Sequence, residues 1–387
     1  MGFAKMAGTG AAVQQARAGA LPAKQHICFV APHAWPVLSR DSRIAEVGGA
    51  EVQQCILARL FAAHGYRVSM ITLDYGQPEG VRLDGVTVHK AFAPRDGMPV
   101  VRFLHPRLTS MWRALHRADA DVYYCRSAAM WLWLVTEFCR RRGRRSLYAG
   151  ASDRDFEPDV GGQMRYARDR WLYRRGLAAA DAIVAQNEFQ LKSLRANYGR
   201  EGVLIPSCYT PPQSASQERN LVLWVGMIHE NKRPERFLEL AARLPQRRFV
   251  MIGGPRAGAQ AFYERIRAQA GALPNVEATG FLPLAEVEPW FDRARVLVNT
   301  STYEGMPNTF LQAWARGVPT VATVDVGAPV HTVFSGIEQG AQEIERLFAE
   351  PAYWTARAKG CRAYFERSHS PASVAAQYAD LFARILA

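Results

Sequence analysis

Glu304 and Gln312 stand eight positions apart in the stretch Ser301 to Ala322, STYEGMPNTFLQAWARGVPTVA. One is a carboxylate ahead of a helical pattern; the other is an amide about one turn into it. Side chains so spaced can face a single ligand, the first accepting hydrogen bonds and the second both accepting and donating. Between them run Gly305, Met306, Pro307, Asn308 and Thr309. The free N–H groups of such a loop lead into a helix N-terminus, which suits an anionic oxygen such as a phosphate. A second candidate is Gly48-Gly49 before another helical pattern. Two glycines there let the backbone approach a phosphate or sugar closely.

The elements that must hold these residues read as repeated strand–loop–helix units. Val296 to Asn299 is an apolar run of strand length. Phe310, Leu311, Trp314 and Ala315 fall at helical spacing, Gly317 sits where a C-cap belongs, and Thr320 to Ala322 is a second run. That is one βαβ unit, and its loop lies at the carboxyl end of a parallel strand, where ligands bind. Near the start, the strand His26 to Ala31 and the strand Val68 to Leu73 flank Gly48-Gly49 and a helix with Ile56, Leu57, Leu60 and Phe61 on one face. Further strands are expected at 86–89, 121–125, 146–149 and 181–185, with a helix over 127–141 and a polar loop over 150–156. Residues 207–220, rich in Pro, Ser and Gln without periodicity, read as a linker. A second half then opens with strand 221–225, the loop Gly226 to Arg233 and a helix whose first turn holds Pro234. Phe249 to Ile252 with Gly253, and 276–279 with Gly280, continue it. Residues 323–338 read as a short loop and 373–386 as a closing helix.

The chain has 387 residues, 49% of them hydrophobic, enough for two or three packed domains. No apolar run approaches the ~18 residues of a membrane span. Residues 1–25 lack the continuous apolar core of a secretory signal and read as a disordered leader. Six scattered cysteines without a Cys-x-x-Cys pair point to buried free thiols in a reducing compartment. The net charge is +13, concentrated in residues 101–200, which hold 18 Arg and 1 Lys against 10 acids. Three partners suit such a bias: solvent alone, an anionic membrane face, or nucleic acid. The sequence contains no nucleic-acid module, and nucleic acid is set aside.

The motif Glu-Gly-x-Pro-Asn-Thr-Phe-Leu-x-Ala-x-Ala-x-Gly-Val-Pro, from Glu304 on, resembles the signature loop of the family four glycosyltransferases. The resemblance runs from residue 26 to the end and implies the GT-B fold: an α/β protein with two Rossmann-like domains facing across a cleft. The implied organisation is an acceptor-side domain over 26–206, a linker over 207–220, a donor-binding domain over 221–367, and a last helix, 368–387, returning to the first domain. It implies retaining transfer of a sugar from a nucleoside diphosphate sugar, with UDP- or GDP-sugar as donor substrate and no cofactor or metal. The acceptor would be a glycan or a polyprenyl-linked glycan in bacterial polysaccharide assembly. The setting would be the cytoplasm, with an anionic inner membrane face as a candidate surface.

The resemblance also assigns roles. Glu304 would hold the donor sugar and Gln312, where the family usually has a second Glu, the ribose. Lys232 would receive the departing diphosphate, helped by the backbone of Gly305 to Thr309. Gly226, Met227 and Arg233 belong to the same diphosphate loop, and Met227 stands where an Arg is usual. Gly253, Gly280, Phe281 and Leu282 would line the nucleotide, and Gly48 and Gly49 would close over the phosphates. Asp153 is the acceptor-side candidate; its neighbour Asp155 invites a metal reading that belongs to a different fold. Met227 and Gln312 also support a rival, a degenerate binding or scaffold protein in a glycan-assembly complex. A sugar-nucleotide epimerase or a phosphorylase is a lesser alternative, and a dehydrogenase lacks its Gly-x-Gly-x-x-Gly.

Overall fold

The structure is a computed structural model that describes residues 25–40, 48–94, 96, 103–162, 164–211, 218–256 and 258–387. The expected leader, save Gln25, falls outside these residues, as do 41–47 and 212–217 of the expected first loop and linker.

Two sheets organise the chain. The first contains β1 (His26–Val30), β2 (Arg67–Thr72), β3 (Arg82–Leu83), β4 (Val86–Lys90), β5 (Val122–Arg126), β6 (Arg145–Ala149), β7 (Ala182–Ala185) and β8 (Val203–Leu204). Its order is β3-β4-β2-β1-β5-β6-β7-β8, parallel except where β3 meets β4. The second contains β9 (Leu221–Val225), β10 (Arg248–Ile252), β11 (Val276–Gly280), β12 (Ala294–Asn299), β13 (Thr320–Ala322) and β14 (His331–Val333). Its order is β11-β10-β9-β12-β13-β14, with parallel neighbours throughout. The central strands are apolar on both faces because helices cover both, as the continuous burial of β1 and β9 shows.

The chain lays strands to one side of its first strand in each sheet and then crosses to the other, at β1/β5 and at β9/β12. A crevice forms outside the carboxyl ends of strands at such a point. The loop after β9 is Gly226 to Arg233, and the loop after β12 carries Glu304. The topology therefore delivers both charged candidates to one crevice.

The helix Pro371–Leu386 packs Val374, Tyr378 and Phe382 into the core around Ile27 and Phe29. Phe61 meets Tyr378 and Phe382 with ring centroids 5.2 and 5.3 Å apart. The last segment of the chain is thereby tied to the first sheet by apolar burial, after the second sheet has been completed.

Three local expectations change. The helix expected from Ser127 begins at Trp131, because Ser127 adopts a left-handed φ of 71° that breaks a right-handed helix. The expected loop 150–156 contains a 3-10 turn, Asp153–Phe156, closed by a capping box of Ser152 and Asp155. The expected loop 323–338 includes strand β14, which extends the sheet beyond β13. All six cysteines are free and buried. Among the described residues no helix is long and apolar enough to cross a membrane.

Candidate active site

Lys232 and Glu304 meet. The Lys232 ammonium donates to Glu304 Oε1, with the two side chains 24% and 14% exposed. Two further contacts lock their loops together: Thr302 N–H donates to the Asn231 carbonyl at 2.8 Å, and Thr300 Oγ1 to the Lys232 carbonyl at 2.7 Å. Glu304 Oε1 also accepts from Ser301 Oγ at 2.6 Å and Asn299 Nδ2 at 3.4 Å. Beside them His229 is held neutral: burial, then the charge of Lys232 and Arg256, lower its pKa to about 4.

The rest of the diphosphate loop is shaped by close backbone packing. Gly226 N–H donates to the Ile252 carbonyl at 3.0 Å, and Gly253 N–H to the Gly280 carbonyl at 2.9 Å. A Cβ at Gly253 would lie 1.8 Å from the Gly226 carbonyl oxygen, so only glycine fits. Met227 is half-buried on this loop, and Arg233 takes a left-handed φ of 44° just before the helix Pro234–Arg243. Gly280 turns with a φ of 76° to present Phe281, which is exposed, and Leu282, which packs against the core.

The loop after Glu304 touches the first half of the chain. Gly305 lies under residues 151 and 152; a Cβ there would come within 3.0 Å of the Ala151 carbonyl. Met306 and Pro307 are buried, while Asn308 and Thr309 open the helix Asn308–Ala315. Asn308 Nδ2 donates to the Gly49 carbonyl at 3.2 Å, beside Gly48 at the start of the helix Gly49–Ala63. Asn308 Oδ1 accepts from Gln53 Nε2 at 2.8 Å, and that same nitrogen donates to the Cys208 carbonyl at 2.7 Å. Arg154 stacks 3.6 Å over the ring of Tyr303. Sequence reasoning missed Gln53, Arg154 and Tyr303; the contacts that bring Gln53 to Asn308 and Arg154 to Tyr303 span the two halves of the chain and leave no local signal.

Gln312 and Asp153 are more committed than their spacing implies. Gln312 is 5% exposed, and its Nε2 donates to Glu288 Oε1 at 3.0 Å. Glu288 Oε2 in turn accepts from Tyr209 at 2.6 Å and Arg316 at 2.7 Å. Asp153 Oδ1 accepts from Asn187 and Gln190, both at 3.0 Å, and burial raises its pKa. Asp155 faces elsewhere. It is fully buried, and its Oδ2 accepts from Ala151 N–H at 2.7 Å as a structural cap. Among the described residues no group of three or more His, Cys, Asp or Glu is arranged to hold a metal ion.

A family model described as Glycosyltransferase Family 4 matches residues 47–208, and one described as Glycosyl transferases group 1 matches residues 219–353. The two matches fall in succession on the two sheets. The chain belongs to the group 1 glycosyltransferases. This group 1 glycosyltransferase is 26% identical over 247 residues to D-inositol 3-phosphate glycosyltransferase of Streptomyces bingchenggensis, a match spanning 54% of each protein. It is 27% identical over 288 residues to GDP-mannose-dependent alpha-mannosyltransferase of Mycolicibacterium smegmatis, spanning 68% of this chain and 72% of that one. The chain thus spans about half the length of the first curated relative it matches. Among solved structures, sucrose-phosphate synthase from Thermosynechococcus elongatus aligns with a TM-score of 0.73 at 19% identity, covering 94% of this chain and 99% of that one. Anabaena HepE, solved in complex with UDP-glucose, aligns with a TM-score of 0.71 at 14% identity, covering 93% and 100%. These likenesses show the fold of the group 1 glycosyltransferase to be GT-B.

Proposed function

We propose that this chain transfers a sugar from a nucleoside diphosphate sugar to a hydroxyl of a glycan or polyprenyl-linked acceptor, with retention of anomeric configuration. The observation that carries the reading is the meeting of Lys232 and Glu304 in the crevice outside the β9/β12 switch point. A donor would exchange that contact for two of its own. The diphosphate takes Lys232 and the N–H groups of Gly305, Met306, Asn308 and Thr309, Pro307 having none, and a sugar hydroxyl takes Glu304. Ribose lies toward Gln312 and Glu288, and the base toward Phe281 and Leu282. The relative named for GDP-mannose and the neighbour bound to UDP-glucose support a donor of this class.

In the reaction the bond between the anomeric carbon and the diphosphate oxygen breaks. A bond to the acceptor oxygen forms on the same face, and the acceptor proton passes to the leaving phosphate oxygen. The protein supplies position and charge: Lys232 and the loop amides stabilise the departing diphosphate. These groups meet part of the diphosphate charge, and the reading, following the resemblance, assigns the step no metal ion. Gly49, whose carbonyl accepts from Asn308 Nδ2, and its neighbour Gly48 cover the phosphates from the other half.

The reading sets the reaction in the cytoplasm, at the inner face of a membrane. Exposed Tyr166 and Trp171 among the arginines around the helix Ala167–Ala179 support attraction to anionic lipid. Absence of co-sedimentation with phosphatidylglycerol vesicles at low salt would remove that part.

The test of activity is nucleotide release from a panel of UDP-, GDP- and ADP-sugars, with Lys232→Ala as control. Release from one donor, abolished in the variant, supports the reading. Nucleotide binding with no turnover of any donor, even with acceptor extracts supplied, would favour the scaffold alternative.

A further inference from the structure

A cavity of about 640 Å³ opens beside the signature loop, with Asp153 and Met306 on its wall. Its charged lining is lopsided. Asp153, Glu188 and Asp325 supply three carboxylates against one guanidinium, Arg367. Glu188 and Asp325 are exposed, the latter side chain by 73%. Asp153 spends Oδ1 on its two amide partners, and among the described residues no hydrogen bond reaches its Oδ2.

His369 completes the polar wall. It is 1% exposed, and its Nδ1 lies 2.7 Å from the Ser207 carbonyl. A carbonyl only accepts, so Nδ1 carries the proton. Burial lowers the histidine pKa to about 4, which leaves the ring neutral near pH 7. Nε2 is then a lone-pair acceptor without a partner among the described residues. The carboxylates of Asp153, Glu188 and Asp325 give the lining acceptors and negative charge. Phe189, 52% exposed, Leu204 and Met306 add apolar lining that suits the carbon face of a sugar ring.

Hydroxyl and ammonium groups donate to such a lining. A phosphate brings acceptors and more negative charge, and like charges facing one another in the cavity repel, the more so at low salt. We infer that this cavity is the acceptor subsite and that it takes an uncharged or amino-bearing sugar while rejecting a phosphorylated one. The inference rests on the transferase reading above and adds the charge class of the acceptor.

The experiment measures binding to the full chain in the presence of nucleoside diphosphate by ligand-observed NMR. The probes are methyl glucoside, glucosamine and glucose 6-phosphate at matched ionic strength. The expected result is weaker binding of the sugar phosphate by about tenfold or more, a gap that narrows on adding salt. In the Glu188→Gln/Asp325→Asn double variant, altered at two exposed side chains, the gap closes toward parity. Equal affinity for all three probes, tighter binding of the phosphate, binding of none, or a gap unmoved in the double variant would each overturn the inference. The two readings fail separately. If only the charge class is wrong, a donor is still hydrolysed and the sugar panel shows no preference. If only the transferase reading is wrong, the donor panel is silent while the preference persists.

Discussion

The ammonium of Lys232 and the carboxylate of Glu304 are bonded to each other across the two loops that leave the switch point of the second sheet. Without donor, each neutralises the other. Ser301 and Asn299 hold Glu304 independently of the lysine. On the proposed reading, a diphosphate that drew Lys232 away would leave the carboxylate in place to accept from a sugar hydroxyl.

Lys232→Ala separates these roles. Glu304 keeps its two neutral partners, so the fold is retained while the charge that meets the diphosphate is lost. The expected outcome is a fall of about 100-fold or more in kcat/KM, the scale found when one transition-state charge donor is removed. Thermal unfolding should shift little. Donor kinetics and a melting curve on the same preparation check both parts.

Met227→Arg restores the cation usual in the resembling motif. Met227 is half-buried on the loop that ends at Lys232 and Arg233, so a guanidinium there can reach the same ligand. A charge-assisted hydrogen bond contributes about 1.5–3 kcal/mol, or about 10- to 100-fold in affinity. Titration calorimetry with UDP and GDP should show tighter binding; unchanged or weaker binding would show that the loop does not meet the diphosphate.

Gln312→Glu should not behave as a simple return to the family pattern. The new carboxylate would stand where Nε2 now donates to Glu288 Oε1 at 3.0 Å. Two carboxylates at that distance repel, and one must take up a proton or move. A loss of about 1–3 kcal/mol in stability is expected. The double variant Glu288→Gln/Gln312→Glu swaps donor and acceptor and should recover most of it. Urea denaturation of the wild type, both single variants and the double variant measures the coupling.

Stability should fall on acidification through the buried histidines. His369 has its pKa lowered to about 4 by burial, against about 6.5 unfolded. A lowered folded value means the unfolded chain binds the proton more readily. The contribution is therefore complete above about pH 6.5 and is lost as pH falls toward 4. A shift of this size corresponds to about 3 kcal/mol at most. His369→Asn should flatten that part of the melting-temperature profile over the same acid range.

Local patterns made much of the fold legible. Apolar runs bounded by glycine loops marked the central strands of both sheets, and the spacing of Phe310, Leu311 and Trp314 marked the helix after the signature loop, which runs Asn308–Ala315. The start of the helix at Trp131 was not legible, because the left-handed turn at Ser127 falls on a residue with no marked preference for it. Strand β14 escaped notice because His331 and Thr332 leave its three residues without an apolar run.

Residue types and local order are written in the chain alone: a carboxylate before a helix, a lysine after a strand, glycines where backbones must approach. Chain order and hydrophobic period act over a few residues, and those features need no more. Which of them meet is a matter of long-range packing. Lys232 and Glu304 come together because β9 and β12 are neighbours in the sheet although 68 residues separate Val225 from Ala294. Asn308 reaches Gly49 and Gln53 because the first half folds against the second. Gln312 is held by Glu288, a partner that no spacing rule selects. Such pairings depend on strand order and on the packing of distant elements, which no local pattern encodes.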